Sequence, residues 1–152
     1  MANTQAMCTS FLGELFTATH NFTPSTGDTF KAALYLSSAT YDAATTAYSS
    51  TGEVTGTNYT PGGITVTNAN APASSNTSAT AGVGYWTPSA SLTYTNVTLT
   101  TAFDAVLIYN SSKSNKAVSV HTFGSQTVTA GTFTLTMPSN TTSTALLRLA
   151  TT

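Results

Sequence analysis

Five carboxylates (Glu14, Asp28, Asp42, Glu53, Asp104), two histidines (His20, His121) and Cys8 are the residues whose types lend themselves to acid–base, nucleophilic or metal chemistry. A metal centre needs such groups clustered at ligand spacing. Here the histidines lie about a hundred residues apart and Cys8 belongs to no CxxC pair. Nucleophilic hydrolysis needs a Ser or Cys beside a histidine that an acid orients. In a chain this rich in serine some hydroxyl lies near each histidine in any fold, and no GxSxG occurs. His121, in HTFG, sits in an alternating stretch where a hydrogen-bonded or exposed histidine is the simpler reading. Asp104 and Glu53 would suffice as a glycosidase pair, but they stand where a strand end and a turn are expected. Cys8 lies near a helix start, where a thiol is activated; a small buried hydrophobe is the preferred reading. The expectation is no catalytic residue, no metal, no cofactor and no enzyme.

Tyr35, Tyr41, Tyr48, Tyr59, Tyr85, Tyr94, Tyr109 and Trp86 are candidates for stacking on a sugar or a base. Only four basic residues accompany them and the net charge is -1, so a nucleic-acid stripe is not expected. Carbohydrate remains open, with Trp86 as its natural anchor. Asn-x-Ser/Thr triplets at Asn21, Asn58, Asn76, Asn96, Asn110 and Asn140 carry little weight, because hydroxyl richness generates them by chance.

The elements that would position these groups are mostly strands. Charged residues make up 6% of the chain, far below the roughly one quarter of an average domain, and Thr, Ser and Asn supply the polarity instead. Threonine is β-branched and suits a half-buried pleated surface. Aromatics spread along the chain argue against disorder, and 152 residues suit one domain spanning 1–152. Residues 1–10 are polar and read as a flexible N-terminal arm that orders on binding. They do not read as an export signal or a membrane span, so synthesis in the cytoplasm and no membrane partner are expected.

Residues 9–21 form the one helix candidate, with Thr9 or Ser10 as cap and Phe11, Leu12, Leu15 and Phe16 on one face. Packed as a lid on the sheets, it would carry Glu14 on its polar side near the helix start. TFKAALYLS (29–37) alternates as a strand, SSATYDAATTAYSSTGE (37–53) reads as a long excursion with a helical turn near 41–46, and Pro61-Gly62-Gly63 turns the chain into GITVTNA. Residues 68–78 read as the least structured part, and TAGVGYWTP follows. YTNVTLTT, FDAVLIYN, KAVSVHTF, GTFTLTMP and ALLRLA are five further strand candidates, the second and third joined as a hairpin whose tip carries Lys113 and Lys116. About eight strands and one helix without a βαβ rhythm predict an all-β sandwich, jelly-roll-like in wiring. Its edges lack the usual charged guards, which predicts a homo-oligomer.

SFLGELFTATHNF, then TFKAALYLSSATYDAATTAYSSTGEVTGTNYTPGGITVTN, then AVLIYNSSKSNKAVSVHTFGSQTVTAGTFTLTMPSNTTSTALLRLA, resemble a group of small tailed-bacteriophage virion structural proteins. The resemblance covers most of the chain outside residues 68–81 and lies in whole strands rather than a catalytic signature. It implies a capsid decoration (cement) protein on the capsid exterior, assembled as a dimer or trimer and bridging neighbouring major capsid protein subunits, with a tail- or fibre-associated role that could include host carbohydrate binding as the alternative.

Overall fold

Phe30–Leu36 (FKAALYL) forms β2, buried on both faces except at the half-buried Lys31 and Leu36. The computed structural model describes residues 2–75 and 82–151. In chain order the elements are β1 (Ala6–Met7), α1 (Thr9–Phe16), β2, β3 (Ile64–Thr65), β4 (Ala73–Ser75), β5 (Val83–Trp86), β6 (Leu92–Asn110), β7 (Lys116–Leu135) and β8 (Leu147–Ala150). They make a five-stranded sheet, β1-β7-β6-β2-β3, and a three-stranded sheet, β4-β5-β8, with all pairings antiparallel. The fold is therefore all-β with one short helix among the described residues. The jelly-roll wiring is a finer statement that this strand order does not establish.

Opposed residues of antiparallel strands project to the same face. On one face Phe30, Ala32 and Leu34 align with Asn110, Ile108 and Val106 of β6; on the other, Ala33 and Tyr35 align with Leu107 and Ala105. The first face is covered by α1 and the small sheet, whose Trp86 meets Phe22 and Phe30 at ring-centroid distances of 4.7 and 6.0 Å. The second is covered by residues 38–63: Tyr41 packs on Tyr35 at 3.7 Å and Tyr48 stacks on Tyr109 at 4.7 Å. The long excursion is thus a second wall of the core, and this is why β2 alternates in sequence yet is buried on both sides. Thr45 N–H donates to the Asp42 carbonyl at 3.1 Å, forming the single turn expected near 41–46.

Four expectations change. Residues 2–10 are not a free arm: Ala6 and Met7 pair with Val120 and Ser119, Thr4 N–H donates to the Tyr41 carbonyl at 2.8 Å, and Asn3 and Cys8 are buried. Backbone pairing with β7 and the bonds of Asn3 to the Leu36 carbonyl and Asp104 hold the segment down. The helix ends at Phe16 instead of running to Asn21, because Ala18 takes a left-handed φ of 52°. Cys8, not Thr9 or Ser10, holds the N-cap position without a side-chain bond, so Glu14 lies near the helix's C-terminal end rather than its start.

YTNVTLTT and FDAVLIYN run together as β6, and KAVSVHTF and GTFTLTMP as β7. Register shifts between Tyr94 and Ala105 bend this long hairpin without breaking it, as β-bulges do. Residues 68–75 are ordered around Trp86, whose Nε1–H reaches Asn68 Oδ1 and the Asn70 carbonyl, both at 3.1 Å. The rest of the stretch expected to be unstructured, residues 76–78, lies outside the described residues.

Candidate binding groove

Each of the five carboxylates is engaged internally. Asp104 Oδ1 accepts from Asn3 Nδ2 at 2.6 Å, fastening the N-terminal segment, and Asp42 Oδ1 accepts from Ala44 N–H at 2.8 Å within its own turn. Glu53 is buried, with Oε1 accepting from Tyr59 Oη and Gly62 N–H at 2.8 Å each and Oε2 from Tyr48 Oη at 2.7 Å. Asp104 and Glu53 belong to separate networks, which removes the geometric basis for pairing them in glycoside hydrolysis. Burial and the Glu53 charge push the Tyr109 phenol up to about 12, and the same causes raise Tyr48, Tyr59 and Tyr94. These phenols are neutral donors around a fixed carboxylate.

The remaining two carboxylates share a network with His20 and Asn110. Asn110 Nδ2 donates to Asp28 Oδ2 at 2.7 Å and to His20 Nδ1 at 3.0 Å. That assignment leaves His20 Nε2–H to donate to Glu14 Oε2 at 2.7 Å. Lys116 Nζ bonds Glu14 Oε1, and Lys113 Nζ lies 3.7 Å from Asp28 Oδ1. The hairpin tip therefore folds its two lysines back onto α1 and the 21–28 turn. Burial raises the Glu14 carboxyl, but hydrogen bonds from Lys116 and His20 and the Lys116 charge outweigh it and hold it below its usual range. Asp28 is likewise raised by burial and lowered further by Asn110, the Asn21 N–H and Lys113.

His121 Nε2 lies 2.9 Å from Ser119 Oγ, a nucleophile-like contact, and desolvation lowers the imidazole to about 4. Ser119, however, is 1% exposed and sits opposite Met7 in register, while Asp104 is turned to Asn3. The pair is a local contact between two residues of β7. Cys8 is buried, and burial followed by the Asp42 and Glu14 charges pushes its thiol up to about 12. It matches the small-hydrophobe reading.

The aromatics divide in the same way. Trp86 is 3% exposed, and Tyr35, Tyr41, Tyr59, Tyr94 and Tyr109 are buried. Trp86 therefore belongs to the core and offers no face to a sugar. Asn110, one of the glycosylation triplets, is also buried, and Asn76 lies outside the described residues.

Of the openings the fold leaves, one beside Thr23, Asp28 and Asn68 is polar and another is apolar. Between α1, β1 and the small sheet lies a groove of about 190 Å³, walled by Met7, Phe11, Leu15, Phe22, Trp86, Leu147 and Leu149. On the wall opposite α1, Ala73 and Leu149 are exposed, Leu149 at 42%; on α1, Leu12 and Phe16, each one residue on from the groove-lining Phe11 and Leu15, are 37% and 94% exposed. Sequence reasoning placed Phe16 on the packed face of a long helix. The break at Ala18 instead strands it at the helix end, and an alanine at that position carried no warning of a left-handed turn.

Compared with protein-family models, curated proteins and solved structures, the chain matches none.

Proposed function

We propose that this protein is a non-catalytic structural component of a tailed-phage virion, a decoration protein that binds the outside of the capsid, bridges neighbouring major capsid subunits and acts as a homo-oligomer. The observation that carries this reading is the division of labour among side chains. All five carboxylates and both histidines are tied into internal hydrogen bonds, while the exposed large hydrophobic side chains, Leu12, Phe16 and Leu149, lie on α1 and β8, two of the elements that wall an apolar groove.

A surface of that kind supports packing against other proteins. Interface cores are depleted in charge and enriched in aromatics, and scarce surface charge removes like-charge repulsion when many copies crowd on a lattice. A decoration protein multiplies weak contacts by touching several subunits at once. The likeness of its strands to small virion proteins supports the same reading.

The test is to add purified protein to expanded capsids of the parent phage that lack it. The outcome is read by cryo-electron microscopy and capsid melting temperature. Regular density on the outer lattice with a raised melting temperature is expected, since binding to the intact shell stabilises it. No density and no shift would overturn the reading, and antibody labelling of the tail would then test the tail assignment.

A further inference from the structure

We infer that the groove beside α1 receives the Phe16 side chain of a second copy of this chain, the two copies exchanging phenylalanines about a two-fold axis. The inference rests on the assembly reading above and names the partner and contact for one interface.

The first ground is self-complementarity. A two-fold interface needs knob and hole on one face of each subunit, so that each serves the other. Phe16 ends the helix whose Phe11 and Leu15 wall the groove, and its ring is 94% exposed. The chain turns at Ala18 immediately after it, so Phe16 projects outward and leaves its own groove unfilled.

The second ground is size. A cavity of about 150 Å³ suffices for benzene, and the groove offers about 190 Å³. A benzyl side chain fits with little void, and the exposed Leu12 and Leu149 extend the apolar contact.

The third ground is charge. Glu14 is the one charged residue of α1, and Lys116 and His20 already bind its two oxygens, so docking a second copy here buries no unpaired carboxylate.

Area sets the strength. One phenylalanine buries roughly 150–250 Å², so the exchange and these leucines fall short of the roughly 1,200 Å² typical of a stable complex. The dimer is therefore weak and concentration-dependent, a strength suited to a partner held mainly by avidity.

The experiment is sedimentation velocity of the full chain from micromolar to millimolar concentration, with Phe16→Ala removing the knob and Ala73→Leu narrowing the groove from its opposite wall. Both sites are exposed, and circular dichroism and thermal melting check that each variant folds. A wild-type dimer that both folded variants weaken at least about tenfold is expected. A wild type that stays monomeric throughout, or dimerises equally well without Phe16, overturns the inference. The same proteins added to capsids separate the two claims. Decoration by a monomeric wild type leaves the capsid reading standing and overturns the dimer. A Phe16-dependent dimer that ignores capsids does the reverse. Monomeric wild type that loses capsid binding with Phe16→Ala assigns the groove to the capsid instead and overturns the second-copy assignment.

Discussion

His20 Nε2 and Glu14 Oε2 stand 2.7 Å apart, and this contact joins the helix to the hairpin: His20 is held on its other nitrogen by Asn110 at the end of β6, and Glu14 on its other oxygen by Lys116 at the start of β7. The position of α1, and hence of the groove wall, depends on a polar junction as well as on Phe11 packing.

That junction predicts acid sensitivity. Glu14 and Asp28 titrate below their ordinary values in the folded state, so the stability they contribute is present above those values and is lost as pH falls through the folded ones. His121, lowered from 6.5 to about 4, adds a loss across that interval because the unfolded chain takes up the proton first. Melting temperature should fall progressively from pH 6.5 downward, more steeply once carboxylates titrate. A flat profile to about pH 4 would contradict the His121 environment.

The alkaline limb has the opposite sign. Tyr109 is raised from 10.0 to about 12, and Tyr35, Tyr48, Tyr59 and Tyr94 are raised as well. Folding therefore favours the neutral phenols, and stability should decline as pH rises above about 10. Spectrophotometric titration at 295 nm checks it: phenolate absorbance should appear late and coincide with loss of circular dichroism.

Glu53→Ala strips partners from Tyr48, Tyr59 and the Gly62 N–H at once. Stranding buried donors costs about 1–3 kcal/mol each, so a total loss of about 3 kcal/mol or more is expected by urea denaturation. Tyr48→Phe, which removes one half-buried donor, should cost about 1 kcal/mol. Equal losses would show that Glu53 does not hold the 38–63 wall.

Gly63→Ala tests the turn that returns this wall to the sheet. Gly63 has φ of 72°, and a Cβ there would lie 1.7 Å from the Ala32 carbonyl oxygen. Backbone must move in buried β2, and a cost of about 3 kcal/mol or a failure to fold is expected. A melting temperature like wild type would show that the β2–β3 approach is looser than described.

Cys8 should be silent in the native protein. Buried, with its thiol pushed up to about 12, it lacks both exposure and thiolate. A thiol reagent should modify it only at the rate of unfolding, with full reaction in denaturant; rapid native labelling would mean that the 2–10 segment opens.

Local structure was legible without coordinates. Threonine-rich alternation gave the strands, and the polar loop between AVLIYN and KAVSVHTF gave the central hairpin. These readings rest on short-range periodicity and composition, which sequence carries directly. What only tertiary structure decided was the assignment of partners. Trp86 went from sugar platform to core because Phe22 and Phe30 close over it, and residues 2–10 went from arm to strand because β7 offers them an edge. Glu53 and Asp104 parted because each found donors far along the chain or across a turn. Phe16 became exposed because a single left-handed residue ended its helix early. Such outcomes depend on which distant segments compete for the same surface, and periodicity contains no term for that competition.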